Sequence, residues 1–203
     1  MNYNQIAKLL LQINAIKLKP KNPFTWSSGK KSPIYCDNRL TLSYPKVRKI
    51  IQKQLIKLAE EEFTQANLIA GVATAGIPHG VLMANKMDLP FIYVRSTEKK
   101  HGRQNKIEGE IGKNKKVLIV EDLISTGKSS LDVAEALQEV GCEVMGIISI
   151  FNYNFLETED RLKKQKIKYK SLCDFDLLIK QAEQEKYISK KELELIINWH
   201  SNF

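Results

Sequence analysis

Apolar residues recur at helical spacing in some stretches of the chain. In others they form short continuous runs, which are typical of buried strands. Near the start, an apolar face at helical spacing predicts a helix over residues 3–17, carried by Ile6, Leu9, Leu10, Ile13 and Ile16. Prolines and a glycine between residues 20 and 41 indicate a loop with short strands. A second helix is predicted to begin near Pro45, with Ser43 close by as a cap, because proline suits a first helical position.

From residue 67 onward, short apolar runs alternate with helical patterns. The runs predict strands at 67–72, 89–94, 116–120 and 143–151, and the patterns between them predict helices at 76–87 and 129–140. Strands that are apolar at every residue suit a parallel sheet that is covered on both faces. We therefore predict an α/β fold: a doubly wound, mostly parallel sheet with helices on both faces.

Two stretches lie outside that alternation. Residues 95–112 are polar and show no periodicity, which is typical of a long loop. The tail predicts a charged helix at 158–165, a strand at 168–172 and then two helices, the last of which begins with the capping-box pattern of Ser189 and Glu192.

The composition fits one globular domain. The chain has 203 residues, of which 43% are hydrophobic and 27% charged, so it can bury a substantial core. We expect a single domain over residues 1–203, with an N-terminal segment at about 1–42, a core at about 43–155 and C-terminal elements at about 156–203.

The net charge of +9 favours anionic partners: nucleic acid, an acidic membrane surface or phosphorylated small molecules. A lysine-rich solvated surface without a role would also explain it. The longest apolar run, 144–151, is far shorter than the roughly 20 residues of a membrane helix, and the first residues lack a secretory pattern. We therefore expect a cytoplasmic location and no membrane partner. Cys36, Cys142 and Cys173 lack the spacing of a zinc site and are expected as reduced thiols.

Candidate chemistry is concentrated at residues 117–130, VLIVEDLISTGKSS. A buried strand runs into a loop and then into a helix, and open α/β sheets bind ligands at such points. The loop offers successive backbone N–H groups and hydroxyls at a helix N-terminus, which attract a phosphate. Gly127 permits the left-handed backbone that such a loop requires. Helix capping alone would explain the hydroxyls but not the adjacent acids Glu121 and Asp122, which repel each other unless a cation or hydroxyls lie opposite.

A triphosphatase loop is excluded, because that motif needs a glycine five residues before its second glycine, and Asp122 stands there. The stretch instead resembles the phosphoribosyl pyrophosphate motif of type I phosphoribosyltransferases, with an apolar strand, two acids and a Ser/Thr–Gly loop. The resemblance implies that the loop holds the 5′-phosphate while Glu121 and Asp122 face the ribose hydroxyls. The implied binding residues are Glu121, Asp122, Leu123, Ile124, Ser125, Thr126, Gly127, Lys128 and Ser129.

Two further stretches resemble the orotate branch of this family. Residues 24–35, FTWSSGKKSPIY, resemble the segment that forms part of a hood over the base, which implies that Tyr35 and either Lys30 or Lys31 contact orotate. Ser125 is a further candidate for holding orotate. Residues 71–78, GVATAGIP, resemble the pyrophosphate-side loop and imply contacts from Thr74 and Ala75. Many orotate enzymes have an aromatic residue and a lysine at those two positions, so this loop supplies no lysine contact.

Residues 95–102, RSTEKKHG, resemble the mobile catalytic loop of the same branch. The resemblance implies that Arg95, Lys99 and His101 contact the diphosphate, with Lys99, His101 and Asp122 as catalytic residues. It also implies a homodimer with shared active sites, because the loop reaches into the neighbouring subunit. Some members hold orotate with an arginine after the strand that here ends near Phe151, where this chain has no basic residue.

The resemblance implies an enzyme that joins orotate to the phosphoribosyl group of phosphoribosyl pyrophosphate, on the way to UMP. Mg²⁺ is implied as the cofactor, held mainly by substrate oxygens. Two alternatives stay open: a purine or uracil phosphoribosyltransferase, and a regulator with the same fold that binds RNA or DNA. The complete catalytic loop argues against the second, so we expect no nucleic-acid partner.

Overall fold

The structure, a computed structural model, describes residues 3–26, 28–95 and 106–203. Its helices are α1 (Tyr3–Gln12), α2 (Pro45–Glu62), α3 (Gly76–Met87), α4 (Lys128–Glu139), α5 (Leu156–Lys164), α6 (Phe175–Gln184) and α7 (Lys190–Ser201), with a 3₁₀ helix at Asn38–Ser43. Its strands are β1 (Ile16–Leu18), β2 (Phe24–Thr25), β3 (Lys31–Ser32), β4 (Ile34–Cys36), β5 (Leu68–Val72), β6 (Phe91–Val94), β7 (Ile107–Glu108), β8 (Lys116–Ile124), β9 (Glu143–Asn152) and β10 (Tyr169–Asp174).

The central sheet has six strands in the order β10-β9-β8-β5-β6-β7. Strand β5 pairs in parallel with β6 and β8, and β8 pairs in parallel with β9, while β7 is antiparallel to β6. All five residues of β5 are buried, as is expected of a strand that is covered on both faces. The predicted α/β fold with a mostly parallel sheet is therefore confirmed.

The chain divides into two compact units. One consists of the chain up to Arg48 together with Cys173–Phe203, and the other is Lys49–Leu172. In the first unit, β1 pairs with β4 and β2 pairs with β3, both antiparallel. In the second unit, the helices that follow the parallel strands bury one face each, including Met83 and Ala84 of α3 and Leu137 of α4.

The first helix is shorter than the pattern predicts, and the prediction of a helix over residues 3–17 is wrong at its end. Helix α1 stops at Gln12, and Asn14 adopts a left-handed backbone with φ 56°. Ile16 pairs with Cys36 in β1–β4 instead of lying on the helix. A buried strand residue keeps the same apolar character as a helix-face residue, so the spacing alone did not separate them.

Two strand boundaries also differ from the prediction. Strand β8 continues past Val120 to Ile124, because Leu123 and Ile124 keep the register with Phe151 and Asn152 of β9. The two acids therefore lie within a strand. Strand β7 falls inside the polar stretch, and at two residues it is too short to carry a period. The second helix, the capping box at Ser189 and the reduced cysteines are confirmed among the described residues.

Candidate active site

Four parallel strands end at the same edge of the sheet. The register pairs Val72 with Val94, Gly71 with Val120, and Ile124 with Asn152, so the segments that follow these strands lie side by side. This carboxyl edge is where open α/β sheets bind ligands.

The two acids stand in different environments at the end of β8. The side chain of Glu121 is buried, with 6% of its residue surface exposed, whereas Asp122 is half-buried. One carboxylate oxygen of Glu121 accepts a hydrogen bond from the Asp122 N–H at 3.0 Å, and the other accepts from the Ser130 hydroxyl at 3.4 Å. Burial raises the pKa of the Glu121 carboxyl well above its usual range, and the negative charge of Asp122 raises that pKa further.

The two carboxylates therefore differ in how readily a ligand can reach them. Asp122 is the one that a ligand can reach more readily, while Glu121 lies against the first turn of α4 through Ser130. The sequence did not single out Ser130 as a site residue. A serine at the third position of a helix gives no signal by itself, because only the folded chain brings it back to the strand end.

The loop after β8 has the form that a phosphate site requires. Gly127 is buried, has φ 71° and stands at the N-cap of α4, which begins at Lys128. Because the capping residue is a glycine, it has no side chain to cover the first N–H groups of the helix. Thr126, Lys128 and Ser129 are exposed and Ser125 is half-buried. Unpaired N–H groups and the helix dipole together attract an anion.

The predicted loop positions Leu123 and Ile124 lie inside β8 instead. Ile124 is buried in the main apolar core, and Leu123 is half-buried. The Ile124 side chain is therefore not available to a ligand at this edge. Two residues of α5, Thr158 and Arg161, donate hydrogen bonds to carbonyl oxygens of the loop, and no pattern along the chain indicates these contacts.

The loop between β5 and α3 approaches β8 closely. A Cβ added to Gly76 would lie 2.3 Å from the Val120 carbonyl oxygen, so only glycine fits at this point. The Ala73 N–H donates to the Val94 carbonyl at 2.9 Å, which ties the loop to β6. Thr74 is exposed and Ala75, half-buried, stands at the N-cap of α3. Small residues thus leave the backbone of this loop open beside the acids.

His79 lies in the first turns of α3, just after that loop. It is 2% exposed, and its Nε2 has no hydrogen-bond partner among the described residues. Burial lowers the pKa of His79 to about 4, so the imidazole is neutral at pH 7.

Arg95 follows β6 at the beginning of the predicted catalytic loop. Its N–H donates to the Lys106 carbonyl at 2.8 Å, and its guanidinium lies 3.1 Å from the Glu108 carboxylate. These contacts join the two ends of residues 96–105 at the sheet edge. Lys99 and His101 lie outside the described residues.

The predicted base-binding residues Lys30 and Tyr35 belong to the first unit. The Lys30 ammonium lies 4.0 Å from the ring centre of Phe203, a cation–π contact. Tyr35 is 38% exposed and packs against Phe24 with ring centres 5.5 Å apart. Tyr35 therefore presents a partly open aromatic face. In the same unit, the Trp199 indole N–H donates to the Lys31 carbonyl at 3.0 Å, so α7 is bonded to the β2–β3 hairpin.

The described residues contain no group of three or more His, Cys, Asp or Glu side chains that could hold a metal ion. An ion that depends on substrate oxygens needs only one or two protein carboxylates, and Asp122 is the half-buried carboxylate at this edge. Within the same described part of the chain, no helix is long and apolar enough to cross a membrane.

Comparison with known proteins shows the family to which the chain is similar. Residues 42–187 match the family model of the phosphoribosyl transferase domain. A relative from Cytophaga hutchinsonii, named orotate phosphoribosyltransferase, is 49% identical over 203 residues, which cover 100% of this chain and 97% of the relative. Two solved structures share the fold at 24% identity. They are UMP synthase of Leishmania donovani, with a TM-score of 0.83 over 98% of this chain and 42% of that one, and orotate phosphoribosyltransferase of Aeropyrum pernix, with 0.79 over 91% and 99%.

Proposed function

This chain belongs to the family of orotate phosphoribosyltransferases, and we propose that it transfers the 5-phosphoribosyl group of phosphoribosyl pyrophosphate to orotate. The products are orotidine 5′-phosphate and pyrophosphate, a step towards UMP. The observation that carries the proposal is the position of Glu121 and Asp122 near the end of β8, at the carboxyl edge of the sheet. The loop around Gly127, which would bind the phosphate, follows them directly.

The phosphate end of the substrate is held by backbone groups. The N–H groups around Gly127 and at the start of α4 receive the 5′-phosphate, with the hydroxyls of Thr126 and Ser129 beside them. Asp122, the more accessible acid, hydrogen-bonds the ribose hydroxyls and favours the positive charge that develops on the ribose. Glu121 stands behind it and keeps the end of β8 against α4.

The diphosphate lies on the side of the loop between β5 and α3. The backbone at Thr74 and Ala75 can approach it closely, because the small residues and Gly76 leave no side chain in the way. Arg95, Lys99 and His101 bring cations and a proton donor to the leaving group. Mg²⁺ fits as the cofactor, held mainly by substrate oxygens with Asp122 as the accessible protein carboxylate, and it would neutralise the diphosphate charge.

Orotate is the base that this proposal assigns. Tyr35 stacks on the pyrimidine ring, and Lys30 offsets the orotate carboxylate, with Ser125 as a hydrogen-bond partner. The ring nitrogen of orotate is already acidic, so no strong general base is required. Positioning of the substrates and charge complementarity then account for the rate. The proposal also includes a homodimer in the cytoplasm, in which each catalytic loop completes the partner's site.

The test follows the absorbance of orotate with phosphoribosyl pyrophosphate and Mg²⁺, for the wild type, Lys99→Ala and the control Lys113→Ala. Lys113 is an exposed lysine outside the catalytic loop. We expect orotate loss that depends on Mg²⁺, disappears largely in Lys99→Ala and persists in the control. Turnover of uracil or a purine instead of orotate would overturn the base. No turnover together with salt-sensitive RNA binding would favour the regulator.

The shared site is tested by mixing Lys99→Ala subunits with Asp122→Asn subunits. Each variant alone should be nearly inactive. If the loop completes the neighbour's site, a mixed dimer regains one intact site, and random reassociation restores about a quarter of the wild-type activity. An inactive mixture that is shown to contain mixed dimers would contradict the sharing.

A further inference from the structure

Three consecutive carbonyl oxygens, one at the end of β8 and two in the loop that follows, accept hydrogen bonds from one segment of the chain, residues 153–161. The Ile124 oxygen accepts from the Tyr153 N–H at 3.0 Å, and the Ser125 oxygen accepts from the Thr158 hydroxyl at 2.7 Å. The Thr126 oxygen accepts from the Arg161 guanidinium at 3.3 Å. The last two donors are side chains of α5, the helix that follows β9 in the chain.

These bonds decide where the loop N–H groups point. A peptide unit is planar and trans, so the carbonyl of one residue and the N–H of the next point in opposite directions. Fixing the Ser125 oxygen towards α5 therefore aims the Thr126 N–H away from α5. Fixing the Thr126 oxygen does the same for the Gly127 N–H. Both N–H groups therefore point away from α5, towards the side that the proposed function assigns to the 5′-phosphate.

The donors are themselves held in place. Thr158 is 2% exposed, and its N–H donates to the Phe155 carbonyl at 3.0 Å in the first turn of α5. The rings of Tyr153 and Phe155 stack with centres 5.1 Å apart. Arg161 is bonded to Glu157, one turn earlier on the same helix. The donors that contact the loop from the side of α5 are thus held by further contacts of their own.

Thr158 has a second contact with the loop. A Cβ added to Gly127 would lie 3.0 Å from the Thr158 methyl group, which shows that the methyl packs on the glycine at the N-cap. The hydroxyl therefore acts on Ser125 and the methyl on Gly127, two residues further along the loop. The hydroxyl orients a peptide and the methyl limits the space behind it.

We propose that Thr158 and Arg161 are positioning residues for the 5′-phosphate: they touch no substrate, but they orient the peptide N–H groups of the 125–127 loop that bind it. The proposal rests on the proposed function, since it assigns the phosphate to this loop. Thr158 is buried and Arg161 is 42% exposed at its side chain, so the threonine has the larger effect.

The test compares Thr158→Val, which keeps the shape but loses the hydroxyl, with Thr158→Ser, which keeps the hydroxyl. The control is Thr64→Val, at an exposed threonine in the same unit. Calorimetry gives the dissociation constant of ribose 5-phosphate, and kinetics give KM for each substrate. We expect Thr158→Val to weaken ribose 5-phosphate binding and raise KM for phosphoribosyl pyrophosphate about tenfold, while KM for orotate, Thr158→Ser and the control stay near wild type.

Arg161→Gln provides a second variant at a more exposed site, where the fold is not at risk. We expect about a threefold loss of ribose 5-phosphate affinity. Unchanged ribose 5-phosphate affinity in Thr158→Val and Arg161→Gln would overturn the proposal. An equal rise in KM for phosphoribosyl pyrophosphate and for orotate, together with a lower Tm, would also overturn it, because that pattern indicates a general structural role. A wild type that binds neither ribose 5-phosphate nor phosphoribosyl pyrophosphate would overturn the proposed function itself.

Discussion

Glu121 is the residue whose replacement separates stability from function most clearly. Its carboxyl is buried beside Asp122, and both burial and the charge of Asp122 raise its pKa. The folded state therefore holds this proton more tightly than the unfolded state does. Glu121→Gln keeps the shape, and the amide can still accept from the Asp122 N–H and meet the Ser130 hydroxyl. We expect the variant to be more stable than the wild type at neutral pH and less active.

The sign and size follow from proton linkage. Because the folded-state pKa is raised, the wild type has its full stability below the usual carboxyl pKa of 4.5. As the pH rises, the unfolded state ionises first and the wild type loses stability, by at most about 1.4 kcal/mol for each pH unit. The advantage of Glu121→Gln should therefore be small near pH 4 and grow towards pH 7.

The assay is urea unfolding from pH 4 to 8 for the wild type, Glu121→Gln and Glu135→Gln. Glu135 is exposed on α4, so its replacement changes the net charge equally without relieving a buried carboxyl. Taking the difference between variants cancels the titration of other groups. A Glu121→Gln advantage that does not grow with pH, or that the Glu135→Gln control reproduces, would refute the reasoning.

Three further predictions follow from single contacts. Gly76→Ala places a methyl 2.3 Å from the Val120 carbonyl oxygen, so calorimetry should show about 2 kcal/mol less stability, and an unchanged Tm would contradict the close approach. Burial lowers the pKa of His79 to about 4. The free energy of unfolding should therefore fall by up to about 3 kcal/mol as the pH drops from 6.5 to 4, and His79→Met should not show that loss. Trp199→Phe removes the 3.0 Å bond to the Lys31 carbonyl and should speed hydrogen exchange in the β2–β3 hairpin about fivefold, whereas unchanged exchange would mean that the bond does not hold the hairpin.

The parts of the site that could be predicted from the sequence are local in the chain. The run from Val117 to Ser130 has its strand, acids, glycine and helix start in order, so the apolar pattern and the residue types suffice to place the acids at a strand end. The same local logic placed the start of α3 at Gly76 and the start of α2 at Pro45.

The parts that could not be predicted depend on long-range contacts. Thr158 and Arg161 lie 33 and 35 residues from the carbonyl groups they contact, and a threonine and an arginine on a charged helix look like surface residues. The sequence also does not show that Glu121 is more buried than Asp122. Two adjacent acids have the same pattern in the sequence, and only the structure shows that β8 extends past both of them to Ile124. The prediction of a long first helix was wrong because Ile16 fits both a helix face and a strand.

The most direct test of the central claim identifies the nucleotide that the chain makes. The wild type is given phosphoribosyl pyrophosphate and Mg²⁺ with an equimolar mixture of orotate, uracil, adenine and hypoxanthine, and the products are separated and weighed by mass spectrometry. The account predicts orotidine 5′-phosphate and pyrophosphate in equal amounts. A nucleotide of any other base as the main product would contradict it.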